Sequence, residues 1–155
     1  MIDRQLPMTP LGAGYGALQS APVAADAASG VRKHLIFVYG TLRAGYGNFR
    51  YYLEGNADRL EDGLTLPEYT MLNMGMYPGV VEGGDTPIIG EVYSVEDFVL
   101  AQLDRLEGHP TFYRRTPIVL QDGRNVQMYV LDRTWQASAD ARHVIKSGDW
   151  KKRSV

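Results

Sequence analysis

The distribution of apolar residues predicts a chain built mainly from short strands. Residues 34–39 form a continuous run of apolar, β-branched and aromatic side chains that stops at Gly40, which is typical of a buried strand that leads into a loop. An Asp-Gly pair at 122–123 lies between two apolar runs and predicts a hairpin. The other predicted strands cover 59–66, 69–74, 88–95, 113–120 and 126–131, and a turn interrupts the segment 76–81.

One helix is predicted after the strand that ends at residue 95. Ser94 is a suitable N-cap, and Asp97 lies in the first turn, where negative charge is favourable. Gly108 and Pro110 are expected to end the helix. Five apolar residues fall on one helical stripe: Val95, Phe98, Val99, Leu103 and Leu106.

About six to seven short strands and one main helix predict an α+β fold. We expect a small, mixed, mostly antiparallel sheet that closes into a β-barrel, with the helix packed against it. The pattern lacks a regular alternation of strands and helices, which disfavours a doubly wound fold.

Composition narrows the classes of function. The 155 residues carry a formal net charge of −2, so no nucleic-acid or acidic-membrane partner is indicated. The sequence contains no run of about 18 apolar residues, so no transmembrane helix is predicted. The chain lacks cysteine, which excludes disulfides, thiol nucleophiles and Cys-ligated zinc and fits a cytoplasmic location. The three histidines have no paired spacing, so no metal site is expected.

The first thirty residues differ from the rest. They contain seven Ala, four Gly and three Pro but only three charges, and we interpret 1–30 as a flexible tail that precedes a domain over 31–155. A signal peptide is the alternative, because small residues at 21–25 are compatible with a cleavage site. The net-positive start and the continuous apolar stretch of a signal peptide are missing, so the tail is favoured.

The loop after the first strand is a candidate binding site. Backbone N–H groups in such a loop can point at a bound carboxylate or carbonyl oxygen. A plain structural turn is the alternative, since strand-Gly-Thr turns are common. The loop lacks the Gly-Lys-Ser/Thr ending of a phosphate loop, and no helix pattern follows it as in a dinucleotide site. The residues concerned are Tyr39, Gly40, Thr41 and Leu42.

The end of the predicted helix offers a candidate acid/base. Asp104 and Glu107 are three residues apart and therefore neighbours on one helical face. The helix dipole and a nearby Asp104 carboxylate would both raise the pKa of Glu107, as a general acid/base near neutral pH requires. The alternative is a surface helix end with both carboxylates paired to Arg105 or Arg114.

The following strand starts with Tyr113-Arg114-Arg115. One of the two arginines could hold a substrate carboxylate through a two-pronged contact. Exposed charges alternating along a strand are an equally good interpretation.

Taken in order, the motifs resemble the γ-glutamylcyclotransferase-like (AIG2-like) family, in particular its small bacterial members. The matching pieces, which extend over about 34–150, are Val-Tyr-Gly-Thr-Leu-Arg at 38–43, Tyr-Pro-Gly-Val at 77–80, Gly-Glu-Val-Tyr at 90–93, Leu-Asp-Arg-Leu-Glu-Gly at 103–108, Tyr-Arg-Arg at 113–115 and Ser-Gly-Asp-Trp at 147–150.

The resemblance implies a small mixed barrel with a pocket beside the first loop. In active members this loop, here Tyr39 to Leu42, holds the γ-glutamyl group largely by backbone contacts. The glutamate of the Leu-Asp-x-Leu-Glu-Gly segment, here Glu107, is the acid/base, and Tyr113 is expected to line the pocket. The α-amino group of the substrate would attack its own γ-carbonyl carbon, releasing 5-oxoproline and an amine. Neither a cofactor nor a metal is implied.

Two other functions stay open from the sequence. One is a non-catalytic module that keeps the pocket and binds a small metabolite or a protein. The other is an enzyme that acts on a γ-glutamyl group linked to a protein or an antibiotic. The leaving amine and the oligomeric state are not specified by the sequence, although a small barrel is compatible with a monomer.

Overall fold

The computed structural model describes residues 32–132 and 143–153. The expected tail at 1–30 and its signal-peptide alternative therefore lie outside the described residues. Within the described ranges, no helix is long and apolar enough to cross a membrane.

Short strands and one eleven-residue helix form the described part of the chain. The strands are β1 (Lys33–Val38), β2 (Asp58–Arg59), β3 (Gly63–Leu64), β4 (Tyr69–Asn73), β5 (Pro78–Glu82), β6 (Ile89–Glu96), β7 (Tyr113–Val119) and β8 (Asn125–Leu131). The helix is α1 (Asp97–Glu107), and two short turns of helix cover Phe49–Leu53 and Trp150–Lys152.

The main sheet has six strands with β1 at its centre. The strand order is β2-β6-β1-β8-β7, and β3 also pairs with β6. Only β1 and β8 run parallel, while the other pairs are antiparallel. This confirms an α+β fold with a mixed, mostly antiparallel sheet and one main helix.

The prediction that the sheet closes into a barrel is wrong. Among the described residues, β4 and β5 form a separate two-stranded sheet, and the hydrogen-bonded path of the main sheet stays open. The β4–β5 pair joins the others through side chains instead, because Leu72 and Val81 belong to the same buried cluster as Ile36 and Leu131.

The apolar run of the first strand is continuous because both faces of β1 are buried. Successive side chains of a strand point to opposite faces. Ile36 and Val38 accordingly join the cluster that includes α1, whereas Phe37 joins the cluster on the other face with Trp150. The end of β1 is thereby fixed in the middle of the molecule, which positions the loop that follows.

Helix α1 begins two residues later than expected. Its N-cap is Glu96 rather than Ser94, because β6 continues its ladder with β1 as far as the Lys33–Glu96 pair. Phe98, which the sequence places on the apolar stripe, is 69% exposed. Gly108 ends the helix as predicted, in a left-handed conformation with φ 66°. Glu107 is thus the last helical residue.

The predicted strand at 59–66 is interrupted. Only the two-residue strands β2 and β3 form there, since the carbonyl groups of Glu61 and Asp62 accept hydrogen bonds from the Arg124 guanidinium at 2.8 and 2.9 Å. Arg124, from the β7–β8 hairpin, thus takes the place of a neighbouring strand as the hydrogen-bond donor to these two carbonyl groups.

A substitution at Gly90 tests how closely β6 approaches β1. A Cβ atom at residue 90 would lie 2.5 Å from the Val38 carbonyl oxygen and 2.6 Å from the Phe37 ring. We expect Gly90→Ala to lower the free energy of unfolding by about 1–3 kcal/mol, the usual cost of overpacking. Urea denaturation measures this against Gly47→Ala, where a Cβ would meet nothing within 4 Å. Equal stability of the two variants would contradict the close approach.

Candidate active site

A cavity of about 570 Å³ opens at the end of β1, where the loop after β1, the start of β5, the end of α1 and the start of β7 meet. The structure brings every residue of the predicted site to its lining: Tyr39, Gly40, Thr41, Leu42, Glu107 and Tyr113. Their common location is a property of the fold, and the roles assigned to them stay predictions.

The cavity loop (residues 39–48) is packed tightly against the start of β5. A Cβ at Gly40 would lie 2.7 Å from Cγ of Pro78, so only glycine lets the backbone come this close without displacing the proline ring. The Arg43 N–H closes a turn onto the Gly40 carbonyl at 3.0 Å. Asn48 donates its side-chain amide to Oγ1 of Thr41 at 2.9 Å.

Some backbone amides of this loop have no hydrogen-bond partner among the described residues. The backbone N–H groups of Thr41 and Leu42 donate to none of the described residues. Both residues line the cavity, and unpaired backbone amides in such a loop can donate to oxygen atoms of a ligand.

A buried ionic cluster holds the cavity loop in place. Arg43, only 7% exposed, donates from Nε to Glu91 at 3.2 Å and from a terminal nitrogen to Asp149 at 2.8 Å. Glu91, 1% exposed, also accepts from the Ala44 N–H and from the Tyr93 hydroxyl, each at 2.9 Å. The loop is thereby tied to β6 and to the segment that precedes Trp150.

Sequence reasoning missed this cluster. Glu91 and Asp149 lie in motifs of the resemblance but receive no role from it. The available signal is a single carboxylate, Glu91, inside the apolar run that became β6, since a charge in a fully buried strand is rare unless it is paired.

Glu107 projects from the last turn of α1 to the cavity. It is partly buried and has no hydrogen-bond or ion-pair partner among the described residues. Burial raises the pKa of Glu107 to about 7. The direction of the pKa shift agrees with the expectation, but its cause is desolvation by the walls of the cavity rather than a neighbouring charge.

Asp104 does not act on Glu107 as the sequence suggested. Its two oxygens accept from the Arg115 guanidinium at 2.8 and 3.0 Å, and one also accepts from the Tyr129 hydroxyl at 2.7 Å. Burial raises the pKa of Asp104, but these hydrogen bonds outweigh burial and lower it overall. Neither Arg105 nor Arg114 is the partner of Asp104, so the alternative ion pairs are not formed either.

The two arginines of the Tyr-Arg-Arg motif do not line the cavity. Arg115 is held by Asp104 and Gln127, and Arg114 pairs with Asp132. The expectation that one of them holds a substrate carboxylate is therefore not supported by their positions. Among the described lining residues only Glu107 is charged, and no group of described His, Asp and Glu residues could hold a metal.

Three tyrosines of the lining donate their protons away from Glu107. Tyr39 donates to the Tyr129 carbonyl at 2.6 Å, Tyr113 to the Pro78 carbonyl at 2.6 Å, and Tyr129 to Asp104. Burial raises the pKa of Tyr39 and Tyr113, and the Glu107 charge contributes in the same direction, so both stay protonated at neutral pH. The Glu107 carboxylate is thus left for a ligand.

Several lining residues were not predicted from the sequence. Tyr77 was interpreted as part of a turn, and no pattern distinguished Asn48, Phe112 or Tyr129 from other loop and strand residues. Their positions depend on which loops meet at the end of β1.

Comparison with known proteins supports the resemblance. The family model "Gamma-glutamyl cyclotransferase, AIG2-like" matches residues 36–152. The gamma-glutamylcyclotransferase family protein YtfP of Escherichia coli K12 is 38% identical over 115 residues, which cover 74% of this chain and 94% of that protein. The gamma-glutamylaminecyclotransferase of Bos taurus is 36% identical over 103 residues, covering 62% of this chain and 61% of that protein.

Solved structures show the same fold. The solution structure of E. coli ytfP superposes with a TM-score of 0.59 at 36% identity, covering 78% of this chain and 99% of that one. A crystal structure of a mouse AIG2-like protein gives a TM-score of 0.60 at 26% identity, with coverages of 67% and 82%.

Removal of the Arg43 charge tests the buried cluster. Arg43→Met leaves the carboxylates of Glu91 and Asp149 without their central cation, and we expect a loss of about 3–5 kcal/mol in the free energy of unfolding. Lys33→Met is the matched control, because the Lys33–Asp58 pair is exposed and contributes about 0–1 kcal/mol. Urea unfolding at pH 7 gives both values, and similar losses would contradict the anchoring role.

The pKa of Glu107 predicts a pH-dependent cost in stability. The unfolded carboxyl, with its ordinary pKa of 4.5, loses its proton before the folded one, whose pKa is about 7, so the free energy of unfolding falls as the pH rises through this window. Glu107→Gln should therefore stabilise the protein at pH 8 by up to about 3 kcal/mol and not at pH 4. Thermal unfolding at both pH values measures this, and an equal effect at the two would refute the raised pKa.

Proposed function

Because the chain belongs to the gamma-glutamyl cyclotransferase, AIG2-like family, we propose that it is an enzyme that converts a γ-glutamyl amine or γ-glutamyl amino acid into 5-oxoproline and the free amine. One observation carries the proposal: Glu107 has a pKa of about 7, lacks a partner among the described residues and faces a cavity beside two free loop amides.

The reaction uses a nucleophile that the substrate brings. The α-amino nitrogen attacks the γ-carbonyl carbon, a ring C–N bond forms, and the C–N bond to the leaving amine breaks. The α-ammonium group loses two protons and the leaving nitrogen gains two, so the amine departs as an ammonium ion and no proton is exchanged overall. A chain without cysteine can perform this reaction, because no thiol is needed.

Glu107 moves the protons in this scheme. With a pKa of about 7, its carboxylate and carboxyl forms are both well populated at neutral pH. The carboxylate takes a proton from the α-ammonium group, which frees the lone pair for attack. The resulting carboxyl gives this proton to the leaving nitrogen, and the C–N bond to that nitrogen breaks. The regenerated carboxylate then takes the second proton from the ring nitrogen and passes it to the departing amine, which leaves as an ammonium ion.

The cavity loop binds and orients the substrate. The N–H groups of Thr41 and Leu42 stabilise the oxyanion of the tetrahedral intermediate or the α-carboxylate, without a charged side chain. Tyr39 and Gly40 form the adjoining wall, and the bond from the Tyr113 hydroxyl to the Pro78 carbonyl fixes Tyr113 in the lining. Holding the substrate folded for ring closure lowers the barrier by up to about 7–11 kcal/mol.

The bovine relative is named for γ-glutamylamines, which supports an amine as the leaving group. The free carboxylate of Glu107 favours an enzyme over a binding module, because a group that only binds ligand does not need a pKa near 7.

Glu107→Gln tests the assignment of the acid/base. Glutamine keeps the size of the side chain but carries no proton to transfer, so we expect kcat for 5-oxoproline release to fall at least about 10²-fold. Glu96→Gln, the same substitution at the other end of α1, is the control and should keep the wild-type rate. The wild-type kcat/KM should rise with pH through about 7 as Glu107 ionises.

Near wild-type turnover by Glu107→Gln would refute the role of Glu107. Tight binding of γ-glutamyl compounds by the wild-type protein without any turnover would favour the non-catalytic binding module instead.

A further inference from the structure

Three aromatic rings form a row between the interior of the cavity and its rim. Phe112 packs edge-on against Tyr113, with ring centroids 4.9 Å apart, and against Tyr77 at 6.4 Å. We call Tyr77, Phe112 and Tyr113 the aromatic row. Tyr113 is 5% exposed and Tyr77 is 39% exposed, so the row extends from buried to solvent-accessible surface along one side of the cavity.

The row begins next to the proposed acid/base. Tyr113 is close enough to Glu107 for the carboxylate charge to act on its phenol, and both line the cavity. At the other end, Met76 lies at the rim and is 87% exposed. With the adjacent Tyr77 it forms an exposed apolar patch beside the cavity, the kind of feature that marks ligand-binding grooves.

The substrate has only one part that can reach this surface. In the proposed reaction the γ-glutamyl group lies against the cavity loop, with its γ-carbonyl near Glu107. A leaving amine that points away from that carbonyl toward the rim would contact Phe112 and Tyr77, and its apolar atoms would be removed from water there.

The same surroundings disfavour a second carboxylate on the leaving group. Glu107 is the only charged side chain in the described lining, and its negative form repels another carboxylate. The Tyr113 hydroxyl is already bonded to the Pro78 carbonyl.

We propose that the aromatic row, with Met76 at its end, is the subsite for the leaving amine, and that the substrates are γ-glutamyl derivatives of apolar alkyl or aryl amines that carry no carboxylate. This inference rests on the proposed function and narrows its substrate class. Under it, Tyr77 and Phe112 are specificity-determining residues that do not take part in the chemistry.

Three compounds with the same γ-glutamyl group separate the features of the leaving amine. γ-Glutamylphenethylamine carries the ring alone, γ-glutamylphenylalanine adds a carboxylate to it, and γ-glutamylmethylamine has neither. We expect the wild-type kcat/KM for the phenethylamine derivative to exceed each of the others at least about 10-fold, the scale of discrimination in an apolar pocket.

Tyr77→Ala locates the effect in the aromatic row. We expect it to lower kcat/KM for the phenethylamine derivative about 10-fold relative to its effect on the methylamine derivative, mainly through KM. Tyr51→Ala is the matched control, because Tyr51 is 76% exposed and does not line the cavity. It should leave the ratio of the two substrates unchanged.

The outcomes distinguish the two levels of the proposal. If 5-oxoproline is released from none of the three compounds, the proposed function fails and the subsite fails with it. If it is released from all three at equal kcat/KM, or fastest from γ-glutamylphenylalanine, the proposed function stands and the apolar subsite is overturned. A substrate ratio that Tyr77→Ala leaves unchanged would also overturn the subsite.

Discussion

The cavity depends on one buried cation. Arg43 lies between the carboxylates of Glu91 and Asp149 and fixes the loop that follows the central strand. Removing these charges from water is expensive, and the cost is offset only when every partner is in place. The cluster therefore strongly stabilises one conformation of the loop, in which Thr41 and Leu42 line the cavity.

The pairing of polar groups also explains the chemistry of the residues around Glu107. The phenols of Tyr39, Tyr113 and Tyr129 all have acceptors elsewhere, and Asp104 is neutralised by Arg115. Glu107, by contrast, is desolvated and has no hydrogen-bond or ion-pair partner among the described residues, which costs stability at neutral pH and raises its pKa. The folded protein is therefore less stable at neutral pH because of Glu107, the group whose proton transfer the proposed reaction needs.

Local pattern predicted much of the fold, and together with the family resemblance it predicted six of the residues that line the cavity. The apolar run of β1 and the glycine that ends α1 depend on near neighbours, so the sequence was informative about both. The interrupted strand at 59–66 and the open sheet depend on Arg124 and on how the β4–β5 pair packs, which no local pattern contains. The cause of the Glu107 shift was missed for the same reason, because burial is a property of the assembled walls.

The contacts that hold the cavity loop join residues far apart in the chain. Arg43 is 48 residues from Glu91 and 106 residues from Asp149, and Tyr39 is 90 residues from Tyr129. Closing such long loops is slow and must precede any gain from the contact. During synthesis on the ribosome, the loop would leave the exit tunnel long before Asp149 does. The cavity is therefore among the last features to form as the chain is made.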